Sequence, residues 1–159
     1  MTQQHPQRGG APVGFITELD NLEAATVVYL RLWSNGPDSR EQVCNDLTAG
    51  LGPEHAQKAI QSFETLCILC ARHGRRPLMR HSVHCKCLGG DESCFANFVA
   101  AAAEGALEDA MLFATLLVRA DVAPLIASCA ADFGLALKKM QLAAPRVLAK
   151  PHYQPTTLH

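Results

Sequence analysis

The chain has 159 residues, of which 48% are hydrophobic, and a mass of 17.1 kDa. A chain of this length buries about 70% of the surface that its unfolded form exposes, so a core can form without disulfides or metals. The 14 basic and 15 acidic side chains give a net charge of −1, which excludes a generally basic, histone-like binder. The apolar runs are far shorter than the roughly 20 residues of a membrane-spanning helix. We therefore expect one soluble domain that has no membrane partner.

The number and spacing of the seven cysteines indicate whether the protein works in an oxidising or a reducing compartment. Their number is odd and their spacing is irregular, which argues against the disulfide framework of a secreted protein. Residues 1–14 are polar and lack the apolar stretch of a signal peptide. We therefore expect a cytoplasmic protein with reduced thiols.

The N-terminal half carries start and stop signals for helices. A capping-box pattern that begins at Asp20 predicts a helix to Trp33, and a second pattern at Ser39 predicts a short helix that ends near Gly50 or Gly52. The third helix has the clearest apolar periodicity. It begins near residue 53, stops near residue 74 and carries apolar side chains at three- and four-residue steps: Ala56, Ile60, Phe63, Cys67 and Cys70.

Three further helices are predicted after residue 90. Asp91 and Asp121 are candidate caps, and Gly105 separates the first of these helices from the second. The alanines at 100–103 would let helix axes approach closely. The last helix should bury Ile126, Ala130, Phe133 and Leu137. The sequence thus predicts a single all-α domain of five or six helices over residues 15–142, a disordered segment at 1–14 and an extended, proline-containing tail at 143–159.

A basic loop rich in histidine and cysteine lies between the third and fourth predicted helices, at residues 74–90. Thiolate and imidazole are ligands that Zn²⁺ prefers. The candidate zinc ligands are His81, His84, Cys85, Cys87 and Cys94. His84 and Cys85 are adjacent and do not easily bind one ion together, so the expected set is one histidine with the three cysteines. The spacing matches no common zinc motif. Chance clustering in a solvated loop is therefore an open alternative, and so is thiol redox chemistry by Cys85 and Cys87.

The other cysteines are predicted to be core residues. Cys67 and Cys70 form a C-x-x-C pair, but they lie late in a helix and share its apolar face with Phe63. A redox C-x-x-C opens a helix, where the thiol pKa falls. Cys44 and Cys129 lie beside apolar residues and are also expected to pack in the core.

The loop region also carries an excess of positive charge. Residues 65–90 contain no acidic side chain and five basic ones: Arg72, Arg75, Arg76, Arg80 and Lys86. This pattern predicts an anionic partner: another protein's acidic surface, nucleic acid or a phosphate-bearing ligand. The alternative is pairing with acidic residues of neighbouring helices. The loop has no aromatic residues to stack bases, which weakens a single-strand interpretation.

The sequence contains none of three common catalytic or nucleotide-binding motifs: a glycine-rich phosphate-binding loop, the G-x-S-x-G serine motif and the H-E-x-x-H metal-binding motif. A Cys–His pair formed within the loop is conceivable as a nucleophile with its base. The sequence nevertheless favours a zinc-binding regulatory or adaptor protein without catalysis. A thiol redox protein and a helical interaction protein that docks an anionic partner are the alternatives.

Overall fold

A computed structural model describes residues 8–143. These residues form six α-helices and one two-stranded antiparallel sheet, which confirms the predicted all-α fold of five or six helices. The helices are α1 (Asn21–Ser34), α2 (Pro37–Leu51), α3 (Pro53–His73), α4 (Gly90–Ala103), α5 (Leu107–Leu117) and α6 (Ala123–Ala143). The strands are β1 (Pro12–Phe15) and β2 (Cys87–Gly89).

Part of the segment predicted to be disordered, residues 1–14, has regular structure. Arg8–Gly10 form a 3₁₀ turn, and β1 begins at Pro12. Residues 1–7 and 144–159 lie outside the described residues, so the predicted extended tail lies there except for its first residue, which ends α6.

Two helix starts show how local signals compete. At α1, Asp20 Oδ1 accepts a hydrogen bond from the Glu23 backbone N–H at 2.8 Å, as the capping pattern predicts. At α2 the predicted start at Ser39 is wrong, because the helix begins at Pro37. Gly36 takes a φ of +123°, which favours glycine, and proline suits the first helical position because it has no N–H to leave unpaired.

The core lies where α1, α3, α4 and α6 meet. α3 packs against α2 and α6, while α4 packs against α1, α5 and α6. Phe63 is fully buried, stacks on Phe133 at 4.4 Å between ring centroids and meets Trp33 edge-on at 5.4 Å. The predicted buried faces of α3 and α6 are confirmed.

α4 and α6 approach closely, as the alanines of α4 predict. A Cβ placed on Gly134 of α6 would lie 2.6 Å from the Ala103 Cβ and 3.0 Å from the Val99 carbonyl oxygen. Atoms at such distances overlap, so only glycine fits at this crossing without a shift of the helices.

The loop between α3 and α4 is anchored at both ends. Gly74 forms an isolated β-bridge with Val118, next to the end of α5. At the other end β2 pairs with β1, where Leu88 lies opposite Gly14 and Cys87 opposite Phe15. The sequence did not predict this sheet. Because it joins residues more than 70 positions apart, it fixes the loop to the N-terminal segment. We refer to residues 74–89 as the His/Cys loop.

None of the helices within residues 8–143 combines the length and the apolar character that a membrane crossing requires.

Candidate functional site

A buried ion pair between α1 and α4 lies beneath the His/Cys loop. Arg31 Nε donates to Glu92 Oε2 at 2.6 Å, and Arg31 Nη2 donates to Glu92 Oε1 at 2.8 Å. Both side chains are completely shielded from solvent. A buried ion pair is tolerated only where hydrogen bonds satisfy the remaining donors and acceptors of both groups.

The His/Cys loop supplies those hydrogen bonds. Arg31 donates to the carbonyl oxygens of Cys85 and Cys87 at 2.6 and 2.7 Å. Glu92 in turn accepts from the backbone N–H groups of Gly89 at 3.0 Å and His81 at 3.3 Å. The ion pair therefore fixes the path of the loop from His81 to Gly89, and no buried polar side-chain atom in the described residues lacks a partner.

The two charges shift each other's pKa. Burial alone would raise the pKa of Glu92, but hydrogen bonds from Arg31 and from the backbone outweigh it and lower that pKa below its ordinary value. The hydrogen bond with Glu92 raises the pKa of Arg31, against the effect of burial. Both groups are therefore charged at neutral pH.

A second ion pair holds the first half of the loop. Arg76 binds the Asp91 carboxylate in a bidentate manner, with Nη1 at 2.7 Å from Oδ2. The same Oδ2 accepts from the Met79 backbone N–H at 2.8 Å. Asp91 is nearly buried while Arg76 is half exposed, and this pairing raises the pKa of Arg76. The acidic first turn of α4 thus anchors the loop twice, through neighbouring carboxylates.

The loop places a thiol against an imidazole. Cys85 Sγ lies 3.6 Å from His81 Nδ1, and His81 Nε2 lies 2.9 Å from the carbonyl oxygen of Gly10. A carbonyl oxygen only accepts hydrogen bonds, so Nε2 carries the proton of the neutral ring. The lone pair of Nδ1 then faces the Cys85 thiol and can accept its proton.

This arrangement has the three parts of an activated nucleophile: a thiol, a base within reach, and a third group that orients the base. Gly10 fixes the tautomer and the orientation of the ring, as a carboxylate does in other sites. His81 and Cys85 are both half-buried. We call this pair the Cys85–His81 dyad.

The other predicted zinc ligands are not gathered around the dyad. His84 is exposed, and Cys87 begins β2. Cys94 lies on α4 and packs against the core, where burial raises its pKa. Within residues 8–143, no three His, Cys, Asp or Glu side chains form a group that could hold a metal ion. Two of the predicted ligands, His81 and Cys85, are in contact, and the zinc site stays a prediction.

The predicted anion-binding residues have different surroundings. Arg76 is paired with Asp91, and Arg75 donates from Nε to the Thr115 carbonyl oxygen. The remaining three, Arg72, Arg80 and Lys86, are exposed. Of the five, Arg76 has an acidic partner in the described residues. The prediction of an anionic partner now depends on the other four side chains, Arg72, Arg75, Arg80 and Lys86, which are exposed.

The remaining cysteines belong to the core, as predicted. Cys70 is buried, and Cys67, Cys44 and Cys129 are partly buried and pack against the same cluster. Burial raises the pKa of Cys70 to about 12 and shifts the pKa of Cys67 in the same direction. Protonated, shielded thiols are poor nucleophiles.

Sequence reasoning did not find Arg31 or Gly10, and it considered Glu92 only as one possible partner of the loop arginines, whereas Glu92 pairs with Arg31. Arg31 did leave a signal, because it interrupts the apolar run between Leu30 and Leu32 in a helix that is otherwise buried at its centre. A charge in such a run indicates a buried partner. Gly10 left no signal, since only its backbone takes part.

Comparison of the sequence with family models, with curated proteins and with solved structures gave no significant match.

Proposed function

We propose that this chain is a thiol redox protein in which Cys85 is the oxidant-reactive thiol, His81 its base and Cys87 the second thiol. The observation that supports the proposal is the Cys85–His81 dyad, in which Gly10 leaves the Nδ1 lone pair of His81 directed at the Cys85 sulfur. This role is the redox alternative considered from the sequence.

The proposed oxidant is a hydroperoxide. His81 Nδ1 accepts the Cys85 proton, and the thiolate attacks the terminal oxygen of the O–O bond. That bond breaks, the imidazolium protonates the departing alkoxide, and Cys85 becomes a sulfenic acid. The Cys87 thiolate then attacks the Cys85 sulfur, and hydroxide leaves and takes up the Cys87 proton to form water. The two thiols together lose two electrons, and the hydroperoxide is reduced to an alcohol and water.

A small oxidant suits the surroundings of the dyad. Four clefts of about 320–550 Å³ on residues 8–143 are lined by side chains other than those of the dyad. The half-buried position still admits a molecule of the size of hydrogen peroxide. The free state of the cysteines in the described residues suits a reducing compartment, and we propose the cytoplasm as the place of action.

Formation of a Cys85–Cys87 disulfide would disturb the loop. Residues two apart in an extended chain have Cα atoms about 6.6 Å apart. The Cα–Cα distance across a disulfide is about 4.4–6.8 Å, most often about 5.5–6 Å, so an extended chain lies at the upper end of this range. The bridge would pull the chain together, whereas both carbonyl oxygens now accept from Arg31. Oxidation would therefore remove at least one acceptor from the buried guanidinium and loosen the loop.

The test is the oxidation of the purified chain by hydrogen peroxide, followed by intact mass and peptide mapping. We expect a loss of two hydrogens that maps to Cys85 and Cys87. In Cys87→Ser, Cys85 should stop at the sulfenic acid, which dimedone captures.

Matched histidine variants test the base. His81→Asn should slow the oxidation of Cys85 about tenfold or more, since a positioned base contributes about 10²–10⁴-fold. His84→Asn, next to Cys85 but exposed, should leave the rate unchanged. Equal rates in both variants, or first reaction at a cysteine other than Cys85, would refute the proposal.

The zinc-binding adaptor predicted from the sequence is a second candidate, supported by the contact between two of its predicted ligands, His81 and Cys85. Metal analysis of the protein purified without chelator tests it. Stoichiometric zinc that is lost in Cys85→Ser supports the adaptor, while protein that folds without zinc and reacts with peroxide at Cys85 supports the redox function.

A further inference from the structure

A cavity of about 550 Å³ opens between α1, α3 and the His/Cys loop. This volume lies within the roughly 300–1,000 Å³ of small-molecule sites, which are mostly apolar and carry a few polar groups. Its apolar lining includes Leu30, Trp33 and Phe95, which are buried, and Ile68 and Leu78 nearer to solvent. The cavity does not include the Cys85–His81 dyad.

Two arginines give the cavity a positive charge. Arg40 comes from α2 and Arg80 from the His/Cys loop, and the one acidic residue of the lining is Glu64. Arg40 Nε donates to the Trp33 carbonyl oxygen at 2.7 Å, and its guanidinium lies 5.3 Å from the Trp33 ring centroid. Arg80 Nη1 donates to the Leu78 carbonyl oxygen at 3.0 Å.

These arginines have no acidic partner in the described residues. Neither Arg40 nor Arg80 takes part in an ion pair within residues 8–143. Burial raises the pKa of the Cys67 thiol, which also lines the cavity. The positive charges of Arg80 and Arg40 act on that pKa in the opposite direction. Both arginines are exposed and line the same cavity, so their charges are available to attract an anion there.

We infer that this cavity is a binding site for a small amphipathic carboxylate, whose apolar body packs against the Trp33 and Phe95 side while its carboxylate is held by Arg40 and Arg80. A guanidinium matches a carboxylate in shape and donors, so two of them select this head group over a cation. The apolar lining selects an alkyl or aromatic body. The inference is independent of the proposed redox function.

Trp33 reports binding directly, because it is the chain's one tryptophan and lines the cavity. The probes are octanoate, octan-1-ol and protonated octylamine, which share one alkyl chain and differ in charge. Titrated below their micellar concentrations, octanoate should change Trp33 fluorescence with a Kd about tenfold or more below that of octanol, since two charge-assisted contacts are added. Octylamine should bind more weakly than octanol.

Variants separate the head-group contact from the apolar contact. Arg40→Gln/Arg80→Gln should bring the Kd of octanoate to that of octanol and leave octanol unchanged. Arg72→Gln, an exposed arginine outside the lining, is the control and should change neither Kd. Ala71→Phe, at an exposed residue of the lining, should weaken both probes by filling space and leaves Trp33 as the one tryptophan.

Three results would overturn the inference. The first is equal binding of the three probes in the wild-type chain. The second is octanoate binding that survives the double arginine change. The third is a protein that is dimeric by sedimentation and becomes monomeric in Ala71→Phe, because the occupant would then be a second copy of the chain. Circular dichroism of each variant establishes that it is folded before titration.

Discussion

The substitution Glu92→Gln tests the buried ion pair most directly. The carboxylate now accepts from four N–H groups, of which two belong to Arg31 and two to the backbone of Gly89 and His81. The amide of glutamine keeps one oxygen, which serves about half of these donors, and turns an NH₂ group toward the rest. Arg31 would keep its charge in a fully buried position without a counter-ion.

We expect this change to lower the free energy of unfolding by about 3–5 kcal/mol, the usual effect of removing one partner of a buried pair. That is a large part of the roughly 5–15 kcal/mol that stabilises a domain. Urea unfolding followed by circular dichroism and by Trp33 fluorescence measures it. Hydrogen exchange should also accelerate at the Gly89 and His81 amides, which lose their acceptor.

Glu104→Gln is the matched control. Glu104 lies at the end of α4 and pairs with Lys138 at 2.9 Å, but its side chain is 68% exposed. An exposed pair contributes about 0–1 kcal/mol, so the same chemical change should have little effect there. A loss below about 1 kcal/mol in Glu92→Gln, or equal losses in both variants, would refute the view that Arg31 depends on Glu92.

Three further outcomes follow from the structure. Phe63→Ala should reduce the free energy of unfolding by about 3–5 kcal/mol, because it removes a fully buried ring that lies between two other rings. Urea unfolding measures this loss, and a loss below about 1 kcal/mol would contradict the packing. Gly134→Ala should lower the free energy of unfolding by about 1–3 kcal/mol, because the added Cβ overlaps Ala103. At Gly50 the added Cβ meets only the flexible side chain of Met140, so Gly50→Ala should leave the stability unchanged or slightly raised, as measured by thermal unfolding. Because the pKa of Glu92 is lowered in the folded protein, its ionised form stabilises the fold at pH values above the ordinary carboxyl pKa of about 4.3, and this stabilisation is lost as pH falls through the lower native pKa. The free energy of unfolding should therefore fall less steeply with decreasing pH in Glu92→Gln than in the wild type. An unchanged pH dependence would argue against the shift.

The helices were predictable because their apolar faces are long and regular. α3 and α6 each bury one face over 21 residues, so periodicity alone places them. The start of α2 was misplaced because two signals compete within three residues, and Pro37 after Gly36 prevails over the capping pattern at Ser39. The sheet was not predictable, since β1 and β2 are short, contain glycine and exist only through pairing distant in sequence.

The site was predictable in composition and not in geometry. The cluster of histidine and cysteine identified the loop, but spacing did not indicate that His81 and Cys85 meet while Cys94 packs against the core. The groups that arrange the dyad lie in other elements. Arg31 comes from α1 and Gly10 from the N-terminal segment, and such contacts depend on tertiary structure that no local pattern encodes.

The bond between His81 and Gly10 spans 71 positions of sequence, and this separation has a kinetic consequence. Closing so long a loop is entropically unfavourable, and contacts of high sequence separation form late in folding. A nascent or partly folded chain would therefore carry Cys85 without an oriented base. Local detachment of the N-terminal segment, with the helices intact, would return the thiol to that state. In the proposed redox function, the rate at which Cys85 reacts would therefore depend on how often β1 is docked. The opening equilibrium of one short strand would then set the reactivity of a sulfur on another part of the chain.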